Sequence, residues 1–275
     1  TMQKKLSSRV ITFCFSVLVS LIFLFPLYWT LITSFKTYKQ AFQQPPKLFV
    51  APNFENYIKF FSQSDVLLLL KNSILVSVVS VIVPLVLGVF ASYALTRSTL
   101  RGKEGYGLFL LASRFIPPIS TVIPIYIIFR ALGLYDTCSG LILLNCATNI
   151  PYVIWMMRGF IKDVPVSIEE SAWVDGCGRV KAFFKMVIPM CRSGIVATAV
   201  LIMVFSWNDY LYPMMMTSSK AKTLPLAMVA YMGEQGIEWN MMATAGIVIL
   251  FPTIVFSILT HRNLGSGLSF GAVKG

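Results

Sequence analysis

Charged side chains are scarce in this sequence. They make up 12% of its 275 residues, about half the share of a typical soluble domain. His261 is the sole histidine, which leaves neither a His-rich centre nor a Ser/His/Asp constellation for a membrane enzyme. A glycine-rich phosphate loop ending in Lys-Ser or Lys-Thr is also missing. The sequence therefore predicts a non-catalytic chain that holds no cofactor and does not hydrolyse ATP itself.

The cysteines lack the spacing of a metal site or of a disulfide framework. They form no Cys-x-x-Cys pair and no Cys/His cluster, and the full set is Cys14, Cys138, Cys146, Cys177 and Cys191. Four of the five fall in or next to apolar stretches, where free cysteines usually act as small buried hydrophobes. We expect no metal site, and no disulfide is inferred.

Long apolar blocks dominate the chain instead. Residues 10–32 carry no charged side chain, and about 20 such residues span the hydrocarbon core of a bilayer. Hydropathy indicates six blocks, over residues 10–32, 72–95, 107–131, 139–160, 193–216 and 241–260. Because backbone groups in lipid must be hydrogen-bonded within the segment, each block should be helical. The predicted fold is an all-α membrane protein with six transmembrane helices, in a single domain over residues 1–275 with its core at 72–262.

Prolines inside the blocks predict that several helices are kinked or broken. Pro117, Pro118, Pro124, Pro151 and Pro213 are among them. Kinked helices rich in small residues suit a bundle that moves rather than a rigid anchor.

The basic residues set the orientation of these blocks. The net charge is +12, but the Lys and Arg residues lie mainly at block ends rather than on one solvated face, so no nucleic-acid partner is expected. If the N-terminus is inside, fourteen Lys and Arg residues fall on the inner side and seven on the outer side. This bias predicts a multi-pass chain with both termini in the cytoplasm.

The inner loop over residues 161–192 is rich in charge. Its segment 165–176 is typical of a short helix, in which Ser167 caps the N-terminus, Glu170 completes a capping box and Gly176 favours the stop. Basic and apolar residues then alternate from 179 to 187, as in a stretch that lies at the membrane interface. Two interpretations stay open from this pattern alone. One is an interfacial helix that merely joins two spans, and the other is a docking helix for a partner.

The same loop resembles the binding-protein-dependent ABC importer permeases. Their signature is an EAA box, a glycine four residues on and a distal Ile-x-Leu-Pro. Here the box is Glu170, Ser171 and Ala172, the Asp-Gly pair is Asp175 and Gly176, and the distal end is Val187, Ile188 and Pro189. Two positions depart from the signature, because Ser171 replaces the central alanine and Ile188 replaces the leucine. Both changes keep size and polarity close.

Three further stretches are similar to the carbohydrate-type permeases, particularly the smaller membrane subunit of the maltose importer. They are residues 72–73 with 91–95 and 101–102, residues 206–209 with Pro213, and the tail 267–275, which is similar to that family's Gly-Leu-x-x-Gly-Ala-Val-Lys-Gly ending. Together with the loop they cover the chain from residue 72 to its end. The chain is identified as a member of that carbohydrate-type family.

The resemblance implies the parts of a sugar importer in a bacterial cell membrane. A short coupling helix between the fourth and fifth spans would dock on a cytoplasmic ATPase, which binds ATP and Mg. The implied assembly contains a second homologous permease chain, two ATPase subunits and an extracellular sugar-binding protein, met by the outer loop 217–240. The implied coupling residues are Glu169, Glu170, Ser171, Ala172, Asp175, Gly176 and Pro189, with Gly271, Lys274 and Gly275 in a cytoplasmic tail, 263–275.

Polar side chains inside the blocks are candidates for the sugar path. They are Arg114, Asn145, Asn149, Trp207, Asn208 and Asp209. Arg114 lies roughly 10 Å inside its helix, where an ionisable group is a functional candidate unless it snorkels to the interface. Asp209 beside Trp207 suits sugar binding, but an interhelical hydrogen bond that holds the bundle together is an equal reading. The two asparagines, one helical turn apart, are a weaker case of the same kind.

An ion-coupled secondary transporter is the alternative from another class. It needs ionisable residues at the bilayer midplane, for which Asp209 and Arg114 are the candidates. That reading leaves the signature loop unexplained.

Overall fold

A computed structural model describes residues 2–233 and 236–268, and it is built mainly of α-helices. In chain order these are α1 Met2–Phe35, α2 Tyr38–Ala41, α3 Glu55–Phe61, α4 Val66–Arg97, α5 Lys103–Ala112, α6 Pro118–Ala131, α7 Cys138–Asp163, α8 Val166–Val174, α9 Arg179–Ala182, α10 Ile188–Met190, α11 Arg192–Trp207, α12 Leu211–Met216 and α13 Trp239–Leu268. Ser113–Phe115 and Leu224–Tyr231 are 3₁₀ segments, and Phe183–Val187 is a π-helical turn. Strands β1 Met232–Gly233 and β2 Gly236–Ile237 pair in an antiparallel hairpin.

Between four and six segments are long and apolar enough to cross a membrane. Four are single helices, namely Ile11–Phe35, Val66–Arg97, Cys138–Asp163 and Trp239–Ile258. Two more are bent pairs, Lys103–Phe115 with Pro118–Ala131 at 88° and Arg179–Met190 with Arg192–Trp207 at 74°. The helical membrane character predicted from hydropathy is confirmed, and the count reaches six when each bent pair is one span.

The block at 107–131 is broken rather than continuous. Pro117 and Pro118 have no backbone N–H to donate, and a residue before proline is pushed out of the helical region. Ile116 accordingly has an extended backbone, with φ −66° and ψ 121°. Pro124 and Pro151, in contrast, lie inside helices α6 and α7.

The block at 193–216 is also interrupted, after Trp207. Short polar side chains there compete for backbone hydrogen bonds. The Asn208 side-chain amide donates to the Val204 carbonyl at 2.9 Å, and the Asp209 carboxylate accepts from the Tyr212 N–H at 3.4 Å. The chain resumes as the short helix α12, which contains Pro213.

The chain divides into two compact units. The first comprises residues 1–67 and 227–251, and a buried polar network holds it together. Asn56 donates to the carbonyls of Ser34 and Lys36, each at 2.8 Å, and accepts from Asn240 at 3.0 Å. The Lys36 ammonium lies 4.2 Å from the centre of the Trp29 ring, and burial lowers the pKa of Lys36.

The second unit comprises residues 68–226 and, as far as the structure describes the C-terminal part, 252–268. It contains two apolar cores. One is formed by Val89, Val153, Met157, Ile161, Val164, Phe183, Val187, Cys191 and Ile202. The other is formed by Val76, Val122, Phe129, Leu141, Leu144 and Met216. The first core packs the loop after α8 against α4, α7 and α11, and the second packs α12 against α4, α6 and α7.

Candidate functional site

Helix α8 begins differently from the sequence-based prediction. Pro165 is the N-cap residue, with φ −59° and ψ 131°, and no side chain of the described residues caps the helix there. Ser167 lies inside the helix, where its carbonyl accepts from the Ser171 hydroxyl at 2.8 Å. The predicted Ser167–Glu170 capping box is therefore wrong, because the fixed φ of Pro165 starts the helix two residues earlier than expected.

The end of α8 is the tight turn that the glycine predicted. Gly176 adopts a left-handed backbone with φ +82°. Its N–H donates to the Trp173 carbonyl at 3.0 Å, and the Cys177 N–H donates to the Ala172 carbonyl at 2.9 Å. This pair of bonds is a Schellman motif, which requires a residue that tolerates positive φ. The turn leaves Gly176 open, since no described atom outside its neighbours lies within 4 Å of where a Cβ would stand.

Helix α8 has two distinct faces. Glu169 and Ala172, three positions apart, are buried, with 1% and 3% exposure. The opposite face is exposed at positions spaced by three and four residues, and it consists of Ser167, Glu170, Ser171 and Val174. Val174 is 88% exposed. We call these four residues the outer stripe of α8.

The inner face of α8 is attached to the end of α4 through Glu169. One carboxylate oxygen accepts from the Arg97 Nε at 2.7 Å, and the other accepts from the Tyr93 hydroxyl at 2.5 Å. Arg97 also donates through Nη2 to the Val164 carbonyl at 2.8 Å. Asp175 and Glu170, by contrast, are exposed. The sequence pattern placed Glu169 among the implied coupling residues and did not indicate a pairing with Arg97.

The segment after α8 is only partly the interfacial stretch that its pattern predicted. Val180 and Phe184 are 70% and 51% exposed, but Phe183 is buried, with its ring centre 4.6 Å from that of Tyr93. The Arg179 guanidinium lies over the Trp173 ring at 5.5 Å. Several of these side chains line an open pocket of about 920 Å³ between α8 and the end of α4. Pro189 is exposed in α10.

A second cavity, of about 400 Å³, brings together polar side chains from three separate blocks. Arg114, Asn145, Asn149 and Asp209 all line it. Trp207 is buried outside this lining, and Asn208 is an exposed residue outside it. Four of the six side chains singled out in the sequence thus share one cavity.

Hydrogen bonds at this cavity join α7 to the end of α11 and to the interruption after it. The Asn145 amide donates to the Asp209 carboxylate at 3.4 Å, and the Asn149 amide donates to the Ser206 hydroxyl at 3.0 Å. Both asparagines are buried. These bonds support the reading of an interhelical link, while the open space beside them leaves the same groups able to contact a ligand.

Arg114 stands apart from this network. Its guanidinium carbon lies 4.6 Å from the ring centres of both Tyr152 and Phe205. A guanidinium is attracted to the face of an aromatic ring, more strongly where water is excluded, and these two contacts stabilise Arg114 in its buried position. Its buried Nη1 atom has no hydrogen-bond partner among the described residues, so it remains available as a donor.

The segment after α12 is held by a clamp that the sequence did not reveal. The carboxylate of Asp136 accepts hydrogen bonds from the backbone N–H groups of residues 218–221, at 3.0 to 3.3 Å. Partial burial opposes ionisation, but the bonds from the Ser218, Lys220 and Ala221 amides and from the Ser218 hydroxyl outweigh it and hold the pKa of Asp136 below its usual range. The position of Asp136, directly before the N-cap residue Thr137 of α7, was the one feature of the sequence that could have pointed to this clamp.

Two residues of α4 hold the same segment. The Asn72 amide donates to the carbonyls of Lys220 and Lys222, each at 2.9 Å. The Ser73 hydroxyl accepts from the Leu224 N–H at 2.7 Å. Asn72, Ser73 and Asp136 therefore fix residues 218–224 to the second unit, and we call this stretch the clamped loop.

The tail residues Gly271, Lys274 and Gly275 lie outside the described residues. Within residues 2–233 and 236–268, no three His, Cys, Asp or Glu side chains gather where they could hold a metal ion.

Two relatives align along most of this chain. The trehalose transport system permease protein SugB of Mycobacterium tuberculosis (strain CDC 1551 / Oshkosh) is 36% identical over 226 residues, covering 81% of this chain and 82% of that protein. The sulfoquinovosyl glycerol transport system permease protein SmoH of Agrobacterium fabrum (strain C58) is 32% identical over 254 residues, covering 92% and 89%. Both are permease proteins, which confirms the reading of this chain as a membrane component rather than an enzyme.

Solved structures share the fold. One chain in the crystal structure of a bacterial ABC transporter involved in the import of the acidic polysaccharide alginate superposes with a TM-score of 0.76 at 20% identity, covering 93% of this chain and 97% of that one. Residues 84–268 also match the family described as binding-protein-dependent transport system inner membrane component. The chain therefore belongs to this family of inner membrane transport components.

Proposed function

We propose that the chain is one of two permease subunits of an ATP-driven importer for a sugar or oligosaccharide. Each bent pair is one span, which gives six spans with both termini in the cytoplasm. The family description supports dependence on a binding protein. The names of the two relatives, for trehalose and for sulfoquinovosyl glycerol, support a carbohydrate substrate. A second permease chain and two ATPase subunits, which bind ATP and Mg, complete the assembly.

The two faces of α8 are the observation that carries this proposal. A lever that transmits force must be attached to its own bundle on one side and present a free surface on the other. Glu169 and Ala172 provide the attachment, and the outer stripe provides the free surface. Val174 gives that surface an exposed apolar residue at one end, beside polar neighbours, and apolar contacts flanked by polar groups are usual where two proteins dock. The ATPase subunit binds to this stripe and to the open turn at Gly176.

The 400 Å³ cavity is the part of the sugar path that this chain contributes. Sugars are bound by hydrogen-bonding groups beside aromatic faces, and Arg114, Asn145 and Asp209 lie there with Phe205 and Tyr212. The clamped loop is the surface that meets the sugar-binding protein. Lys220 and Lys222 are exposed on it, so the facing surface of that protein is acidic.

Two aspartate substitutions test the coupling role. In Gly176→Asp the new side chain occupies the left-handed position of the Schellman turn and faces the docked ATPase, so we expect ATP-dependent sugar uptake to be abolished while membrane insertion is retained. Gly178→Asp is the matched control, because Gly178 has an ordinary φ of −64° and no described atom within 4 Å of its Cβ position. Wild-type uptake by Gly176→Asp would overturn the coupling role.

A further inference from the structure

We propose that Glu169 is a positioning residue that locks the coupling helix α8 to α4, and that α4 carries the movement of α8 to the clamped loop. This inference rests on the proposed function. It assigns different roles to the adjacent residues Glu169 and Glu170. Glu170 faces outward toward the ATPase, while Glu169 faces inward and holds the helix to its own bundle.

The contacts of Glu169 are those of a fixed joint. Its side chain is 1% exposed, and that of Arg97 is 17% exposed. A carboxylate buried to this extent needs its partners, because an unpaired charge in such surroundings is costly. Both oxygens are used, one by Arg97 and the other by Tyr93. The joint can therefore transmit a push or a rotation rather than yield to it.

Arg97 is the partner of Glu169 on α4. Its planar guanidinium donates in two directions at once, to Glu169 and to the Val164 carbonyl just before α8. A lysine could not hold both acceptors in this fixed geometry. The start of α8 and its buried face are thus attached to the same side chain, so α8 cannot tilt without moving the end of α4.

The other end of α4 holds the clamped loop. Asn72 and Ser73 bind the backbone of residues 220–224, and Asn72 lies 25 positions before Arg97. At 1.5 Å per residue that separation is about 38 Å, which is close to the full thickness of a bilayer with its headgroups. A single helix therefore joins the surface offered to the ATPase to the surface offered to the sugar-binding protein. Helix α4 is unbroken over this length, with Pro84 inside it, and a connected element of this kind is a physical route for coupling between distant sites.

The test uses the complete complex with its ATPase subunits, reconstituted in proteoliposomes. Three quantities are measured for Glu169→Gln: co-purification of the ATPase subunits, basal ATP hydrolysis, and the stimulation of hydrolysis by the sugar-loaded binding protein. We expect co-purification and basal hydrolysis within about twofold of wild type. Stimulation should fall about tenfold. A residue that merely stabilised the fold would lower all three together.

Two further variants separate the roles. Glu170→Gln should weaken co-purification of the ATPase subunits instead, because it alters the docking surface. Asn72→Ala combined with Ser73→Ala should reproduce the loss of stimulation from the far end of α4. If Glu169→Gln does not accumulate in the membrane, Arg97→Lys is measured in its place. It should lose the stimulation of hydrolysis while co-purification and basal hydrolysis are kept.

The inference is overturned if Glu169→Gln or its substitute Arg97→Lys keeps full stimulation, or if it loses the ATPase subunits as Glu170→Gln does. Failure of the proposed function is a different result. In that case the wild-type complex itself would show no stimulation and no ATP-dependent sugar import.

Discussion

The carboxylate of Asp136 accepts two hydrogen bonds from Ser218, one from the backbone N–H at 3.0 Å and one from the hydroxyl at 2.9 Å. The two residues are 82 positions apart and belong to the turn before α7 and to the clamped loop after α12. Asp136 itself has a left-handed backbone, with φ 55°. A single ionised side chain therefore organises a loop that would otherwise expose several unpaired amides.

Removal of that charge should destabilise the clamped loop. Asparagine also tolerates the left-handed backbone, so Asp136→Asn changes the charge without straining the turn. Bonds to an ionised acceptor are the stronger ones, but this site is partly solvated, so we expect a loss of about 1 kcal/mol, or roughly 2–4 °C in Tm. Thermal unfolding of the purified chain measures the difference between Asp136→Asn and the wild type.

The pH dependence of that difference follows from the lowered pKa of Asp136. A carboxylate with a depressed pKa in the folded state stabilises the fold above its unfolded pKa, which is about 3.9, and the contribution is lost as the pH falls below that value through the folded pKa. The Tm difference should be constant from pH 7 to 5 and should shrink toward pH 3. A difference that grew on acidification would contradict the clamp.

Close packing of α11 on α7 depends on a glycine. A Cβ at Gly194 would overlap the ring of Phe160, so the helices approach only because position 194 lacks a side chain. Gly194→Ala should cost about 1–3 kcal/mol through overpacking. Gly159→Ala, next to Phe160 but with no described atom within 4 Å of its Cβ position, should leave the Tm unchanged or slightly raised. Equal Tm values for the two variants would contradict this packing.

Variants of Asp209 and Asn208 distinguish the two interpretations of the polar cavity, a part of the sugar path or a link between helices. Asp209 lines the cavity and Asn208 does not. If the cavity is part of the sugar path, Asp209→Asn should raise the KM for uptake about tenfold, the effect of one lost hydrogen bond to a charged group, with little change in Tm. Asn208→Ala should leave uptake unchanged. A lowered Tm with normal KM would instead assign Asp209 to an interhelical link.

The membrane helices could be predicted from sequence because lipid imposes one rule on every segment. An apolar run of about 20 residues has to form a helix, and the blocks at 72–95 and 139–160 lie inside α4 and α7. The breaks were harder to predict. Pro117 and Pro118 break a helix where Pro124 does not: Ile116 and Pro117, each directly before a proline, have ψ of 121° and 126°. Residue type alone does not distinguish these prolines from Pro124, which lies inside α6.

The site was predictable where one helix decides the geometry. Asn145 and Asn149 share a face of α7, and Gly176 ends α8, as their spacing and residue type indicated. Contacts between distant segments could not be predicted. Nothing in the pattern of residues 165–176 distinguishes Glu169 from Glu170. The difference depends on where Arg97 lies, 72 positions earlier in the chain.

The claim that the outer stripe of α8 meets a cytoplasmic ATPase is tested most directly by photo-crosslinking. A photoreactive amino acid is placed at Val174, which is 88% exposed, and in a control at Phe49, which is 84% exposed. Phe49 lies between α2 and α3, on the outer side of the membrane in the proposed topology. In membranes that contain the complete transporter during ATP turnover, position 174 should crosslink to the ATPase subunit and position 49 should not. Absence of that crosslink from position 174, or its capture by an extracellular protein, would contradict the account.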